Sequence, residues 1–344
     1  MKRFYSLIIL FTTFAYSQNK TEAENKVTEG VEFHDLGNFD NALIKYDEAL
    51  TLDKDNAYAL AEKAMTLETL KRYDEAIEIC QKVLKLHPKE NNAMVYVTYG
   101  NALDHSGKAK QALKIYDEGI KKFPDQYQLF FNKGITLINI KEREKALEAI
   151  KMATKLNPNH SSSFNALSIL DSENRIPAIL SLSRYLIIDN RTSRAKTNFG
   201  VLTLLMNQGV SKTGDNSISI NINEDLLNDG KKGENNFSSL DLMLSLAGAV
   251  DLSEEYKDKT DVERFTSKFK TMCQGMAEMR KNQKGYYWEF LAPYFIEMNE
   301  KDLIEPFANI IFLSIKDINA QKYKEENPGK MEQFYFWSKN YIWK

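Results

Sequence analysis

Several residue types and patterns on which enzyme chemistry is commonly built are scarce or missing here. The 344 residues include only two cysteines, Cys80 and Cys273, which lie far apart in the chain. Two distant cysteines are no disulfide framework, and both are expected to be unpaired. There are four histidines, His34, His87, His105 and His160, and none stands at ligand spacing from another histidine or a cysteine. Residues 191–344 contain no histidine, which excludes a histidine-based acid, base or metal site within that half. A Gly-rich phosphate loop, a G-x-S-x-G elbow, H-E-x-x-H and C-x-x-C are all absent. The expectation is therefore no catalytic, metal-binding or cofactor-binding residues and no cofactor. The formal net charge is -2 and no basic block stands out, so nothing points to a nucleic-acid partner. Beyond the first residues, no segment is long and apolar enough to span a bilayer, which needs roughly 20 residues.

What is present begins at the N-terminus. Lys2 and Arg3 precede an apolar run, Phe4 to Phe14, broken only by Ser6, Thr12 and Thr13. Ala15-Tyr16-Ser17 follows, with small residues at the two positions a signal peptidase reads. This is the order of a secretory signal peptide. Residues 1–17 are expected to direct export to the periplasm, cell surface or medium, with 18–22 as a linker.

A repeat follows. Ala42, Ala76, Ala112, Ala146 and Ala178 recur at spacings of 34, 36, 34 and 32 residues. Twelve residues before each stands a second small residue: Gly30, Ala64, Gly100, Gly134 and Ala166. Pro88, Pro124 and Pro158 close three of the units, and phrases such as "LKRYDEAIEICQKVL" and "SGKAKQALKIYDEGI" align around the alanines. The physics of paired helices accounts for these types. Small residues belong where two helices cross closely, because a large side chain would hold them apart. Tyr46, Cys80, Tyr116 and Ile150 fall four residues after the alanines on the same helical face and should fill the space between units. Gly37 and Gly107 suit an interhelical turn at positive φ, and proline cannot continue the second helix.

The pattern resembles the tetratricopeptide repeat, a helix-turn-helix unit of about 34 residues. Five units are expected over residues 23–190, near 23–56, 57–90, 93–126, 127–158 and 159–190. Residues 191–236 read as a broken repeat helix and a turn-rich insertion. In that insertion Ile218, Ile220 and Ile222 alternate with polar residues like a strand, with no partner strand in view. Residues 237–344 read as an aromatic-rich helical region opening at a serine cap, Ser238. The fold class expected is all-α: a tetratricopeptide-type α-solenoid, then a second helical region with a short strand-like insertion.

The resemblance implies a non-catalytic scaffold that binds a protein or peptide along the face lined by the first helix of each unit. In the family register the inward positions are Tyr58, Ala61 and Met65, then Met94, Val97 and Asn101, then Phe131, Ile135 and Ile138. Family members that clamp a peptide carboxylate use lysine, arginine and asparagine, but the matching positions here are Val27, Val31, Glu62, Met94 and Thr98. That clamp is absent, and an apolar groove suits an amphipathic helix or the protein's own C-terminal half. Acidic residues such as Asp40, Asp74, Glu75, Asp117 and Glu118 recur in phase with the repeat and fit a solvated face. His87 fits a solvated turn and His105 a surface position. The alternative is an exported enzyme or carbohydrate-binding protein, its site lying between the array and the C-terminal helices around Tyr286, Tyr287, Trp288 and Phe290. Trp288, Trp337 and Trp343 fit core positions better than ligand platforms.

Overall fold

The first helix contains no glycine or proline before Gly30, and it runs unbroken from Lys2 to Asp35. The computed structural model of the protein describes residues 2–89, 93–214, 217–220 and 234–343. The segment 18–22, expected as a linker, is helical for that reason: nothing in it breaks a helix. Helix pairs follow: α1 (Lys2–Asp35) with α2 (Phe39–Leu52), α3 (Ala57–Thr69) with α4 (Tyr73–Leu86), and α5 (Ala93–His105) with α6 (Ala109–Lys122). Then come α7 (Tyr127–Asn139) with α8 (Arg143–Leu156), and α9 (Ser161–Leu170) with α10 (Arg175–Ile188). Apart from two short strands, the described residues are overwhelmingly helical, an all-α solenoid of paired helices.

The chain divides into two units, Met1–Ala149 and Ile150–Lys344. In the first, the repeat alanines and the residues four positions later make the core. Ala42, Ala76, Ala112, Tyr46, Cys80 and Tyr116 are all buried. Tyr46 packs with Ala59, Cys80 with Val95 and Tyr116 with Leu129, each joining one pair to the first helix of the next. A single pair cannot bury its apolar face, and stacking supplies the missing partner. The turns within pairs carry positive φ at Gly37 (74°) and Gly107 (80°). The equivalent turns of the second and fourth pairs place Lys71 (61°) and Lys141 (65°) in the same left-handed conformation.

In the second unit, α10 is buried on all sides from Arg175 to Leu186. Later in the chain come α11 (Ser193–Asn207), α12 (Ser238–Asp251), α13 (Asp261–Met279), α14 (Ala292–Glu300), α15 (Ile304–Phe312), α16 (Ile318–Glu326) and α17 (Pro328–Lys339), and α10 packs against α11, α12 and α15 among them. Arg175 donates to Asp241 Oδ1 at 2.7 Å and Ser245 Oγ at 2.8 Å, and Asn190 donates to the Ile310 carbonyl at 3.1 Å. The fifth repeat therefore shares its core with the C-terminal helices. The strand expected near Ile218 does have a partner: β1 (Val210–Gly214) pairs antiparallel with β2 (Ser217–Ile220), Val210 facing Ile220. Ile222 lies outside the described residues. The cap of α12 also differs from expectation. Asn236, two residues earlier, accepts from the Ser238 amide at 3.0 Å and its hydroxyl at 2.8 Å.

Candidate functional site

The face expected to bind a partner is built on α1, α3, α5 and α7. Asn56 caps α3 by accepting the Ala59 amide at 2.9 Å, which fixes where the helix begins and hence which side chains share its face. Tyr58 and Met94, at the same point of successive units, are 51% and 44% exposed. Ala61, Met65, Asn101, Phe131, Ile135 and Ile138 are partly exposed. Val97 is not available. It is 5% exposed and packs with Tyr96, Leu103, Ala112, Tyr116 and Leu129, because α5 turns Val95 to Thr98 wholly inward. Asn101 is held from below, its Oδ1 accepting the Tyr116 hydroxyl at 2.8 Å.

Charged residues at the α1–α3 end of this face were not singled out in the sequence. Glu62 on α3 is half-buried, whereas Asp35 at the end of α1 is exposed. Burial, with the charge of Asp35 added, raises the Glu62 pKa above the usual carboxylate range. Glu62 stands at one of the positions where a carboxylate clamp would need a cation. The only signal of this in the sequence was that mismatch.

Each histidine has a hydrogen-bond partner in the protein, His160 Nδ1 lying 2.8 Å from Ser163 Oγ. His34 Nδ1 lies 2.8 Å from Thr66 Oγ1, and Thr66 itself donates to the Glu62 carbonyl at 3.0 Å, so the histidine is the donor. His87, expected as a solvated turn residue, is half-buried and donates through Nε2 to the Asp55 carbonyl at 2.7 Å. The one-unit offset that brings Asp55 within reach is a property of stacking and is invisible in the turn sequence. His105 is exposed and donates from Nδ1 to Glu68 at 2.7 Å. Among the described residues no cluster of histidine, cysteine, aspartate or glutamate could hold a metal ion. Cys80 and Cys273 are buried and free, and burial pushes both thiols up, Cys80 to about 12.

The aromatic cluster named for the alternative site is core. Tyr286, Tyr287, Trp288 and Phe290 are all buried. Trp288 stacks on Phe237 at 4.3 Å and donates to the Asn236 carbonyl at 3.0 Å. Tyr287 donates to Asp171 Oδ2, and Tyr286 is hydrogen-bonded to Thr154 at 2.7 Å. These rings and hydroxyls are satisfied by protein. Trp343 stacks on Tyr294 at 5.0 Å, and the Arg184 guanidinium lies 4.9 Å from both ring centres.

Comparison with known proteins places the repeats. Residues 24–126 match the family model for the N-terminal TPR repeats region of Psidin, and residues 127–160 match the tetratricopeptide repeat model. Tetratricopeptide repeat protein 28 of Homo sapiens is 29% identical over 111 residues, 32% of this chain and 4% of that protein. The STIP1 homolog of Dictyostelium discoideum is 31% identical over 106 residues, 27% of this chain and 19% of that protein. The chain thus spans a small part of these relatives. Among solved structures, a thermophilic TPR protein of Thermus thermophilus aligns at 20% identity and TM-score 0.46, over 53% of this chain and 99% of that one. YrrB, described as a TPR protein with an unusual peptide-binding site, aligns at 23% identity and TM-score 0.38, over 52% and 91%. Through residues 24–160 the chain belongs to the tetratricopeptide-repeat family.

Proposed function

We propose that the chain is an exported, non-catalytic interaction scaffold that holds a helix or peptide of another protein against α3, α5 and α7. The observation that supports this most is the apolar stripe left open on one face of successive helices: Tyr58, Met65, Met94, Ile135 and Ile138. Soluble proteins rarely leave contiguous apolar patches without a use. The C-terminal half is the other occupant considered. Its aromatic tail, however, already packs within its own unit, Trp337 on Tyr294 and Trp343 on Tyr294 and Phe290. That leaves the tail little need of a second surface and favours an external partner.

Export rests on Lys2, Arg3, the run Phe4 to Phe14 and Ala15-Tyr16-Ser17. No helix among the described residues is long and apolar enough to cross a membrane. N-terminal sequencing of protein recovered from its native host is expected to begin after about Ser17; intact Met1 on the cytosolic protein would remove the export reading. For the scaffold, a photo-crosslinking residue at Tyr58 or Met94 is expected to give discrete adducts in the native host. The same residue at Glu118, on the second helix of a pair, should give none. Equal labelling from all three positions would refute the assigned face.

A further inference from the structure

A cleft between α13, α15 and α16 belongs neither to the apolar groove nor to the aromatic core. It is open to solvent and about 660 Å³ in volume, within the range of small-molecule sites, roughly 300–1,000 Å³. Seven charged side chains among the described residues line it, and each already has a partner. Lys259 pairs with Glu263, Lys270 with Asp302 and Lys322 with Glu326, each at 3.8 Å, and Glu305 holds Lys330 at 2.9 Å. Charges balanced in place by neighbours of opposite sign leave no single-sign field to draw an ionic ligand.

What the cleft leaves open is neutral. Asn309 is the one polar residue among those buried on α15, and it is 4% exposed. Its Nδ2 donates to the Glu305 carbonyl at 2.9 Å, while its Oδ1 accepts from none of the described residues. A buried amide oxygen without a donor costs stability, and such groups are normally satisfied. Tyr256 is a second, independent feature. It is half-buried at the cleft, and among the described residues neither its ring nor its hydroxyl has a partner. Ser267 and Asn319 line the same cleft, exposed, and their side chains bond to no described residue. Two amides and two hydroxyls beside an unstacked ring form a set that both donates and accepts without net charge.

We propose that this cleft binds a neutral saccharide. One sugar hydroxyl donates to Asn309 Oδ1, others pair with Asn319, Ser267 and the Tyr256 hydroxyl, and the C–H face of the sugar packs on the Tyr256 ring. Each of these groups then gains the partner that the chain itself does not supply. An ionic ligand would have to break one of the four ion pairs to find its own counter-charge, and a purely apolar ligand would leave Asn309 unpaired. The cleft therefore selects by hydrogen bonding rather than by charge. It lies wholly within residues 150–344, and the proposal does not depend on the groove of α3, α5 and α7.

The test is a panel of neutral, acidic and amino mono- and disaccharides, each added to the full-length chain. Binding is read by saturation-transfer difference NMR, with isothermal titration calorimetry of the best binder. A neutral sugar is expected to bind saturably, with an affinity that added salt leaves unchanged. Its affinity should fall about three- to ten-fold in Asn309→Leu, the loss of one hydrogen bond, and by a similar factor in Tyr256→Ala. Asn319→Ala, at an exposed position, should weaken binding without lowering the melting temperature, so it carries the test if Asn309→Leu does not fold. Failure of every neutral sugar to bind saturably overturns the proposal. So does preference for a charged sugar whose binding salt abolishes, or parent-like affinity in Tyr256→Ala and Asn319→Ala.

Discussion

The ring of Tyr116 occupies the space that a side chain on Gly100 would need. A Cβ at Gly100 would fall inside the ring's van der Waals envelope, and Gly30 stands in the same relation to Tyr46. The second repeat solves the same crossing with Ala64 beside Cys80, both in one buried cluster. The small residue of the first helix is therefore matched to the residue four positions after the repeat alanine. A large filler demands glycine, and a small one admits alanine.

Gly100→Ala is accordingly expected to destabilise the chain by about 1–3 kcal/mol through overpacking. Adding Tyr116→Cys, which copies the Ala64–Cys80 pair, should recover part of that loss. Denaturant melts of both single variants and the double variant give the coupling. Strictly additive effects would show that the two positions do not share the space.

Lys71 and Lys141 predict an opposite effect. Both hold the left-handed conformation that glycine holds at Gly37 and Gly107. A side chain in that conformation costs roughly 1 kcal/mol, partly offset by the extra freedom glycine brings to the unfolded chain. Lys141→Gly and Lys71→Gly should each stabilise by up to about 1 kcal/mol. Both side chains are exposed, so little packing is lost. A lower melting temperature for either variant would count against strain at that turn.

Glu62 gives a pH dependence of defined sign. Its pKa is raised in the folded chain, so the folded state binds the proton more tightly than the unfolded state does. The stability linked to that proton is fully present below the unfolded carboxylate pKa, near 4.3 in model peptides. It is lost as pH rises through the raised, folded value. Glu62→Gln should thus raise the melting temperature at pH 7 and change it less at pH 4. Thermal melts at the two pH values decide, and an equal shift at both would mean that the carboxylate's charge is not what costs stability.

How far the sequence could be read follows from where each determinant sits. The spacing of Ala42, Ala76, Ala112 and Ala146 is local and periodic, and it marks the helix pairs and their stacking directly. Strand β1 was hidden because Ser211, Lys212 and Thr213 read as turn residues, and only pairing with β2 makes them a strand. Val97 shares the apolar character of its neighbours on the expected face, and only the burial of α5 from Val95 to Thr98 separates it from them. The acidic end of the face escaped for a related reason. Glu62 looks like any solvated carboxylate until folding half-buries it on α3.

Arg184 is the clearest case of a determinant set wholly by distant partners. Its guanidinium is buried, and its hydrogen bonds among the described residues go to neutral acceptors. It donates to the Pro158 carbonyl at 2.9 Å, Asn159 Oδ1 at 2.7 Å, Tyr294 at 3.2 Å and Ser338 at 3.3 Å, and lies over the rings of Tyr294 and Trp343. Burial pulls its pKa down, yet an arginine stays charged, so these neutral acceptors and ring faces stabilise the charge. Arg184→Lys keeps the charge but loses the planar fork that reaches all four acceptors at once. It is expected to destabilise residues 150–344 by about 2–4 kcal/mol, the cost of a buried charge and several hydroxyls and carbonyls left underpaired. Trp343 and Trp337 lie close enough for tryptophan fluorescence to follow the loss in a denaturant titration. Arg184→Met should be the milder change, because it removes the charge together with the need to solvate it. If lysine were tolerated and methionine were not, the charge itself rather than its hydrogen-bond geometry would be what anchors the C-terminal segment.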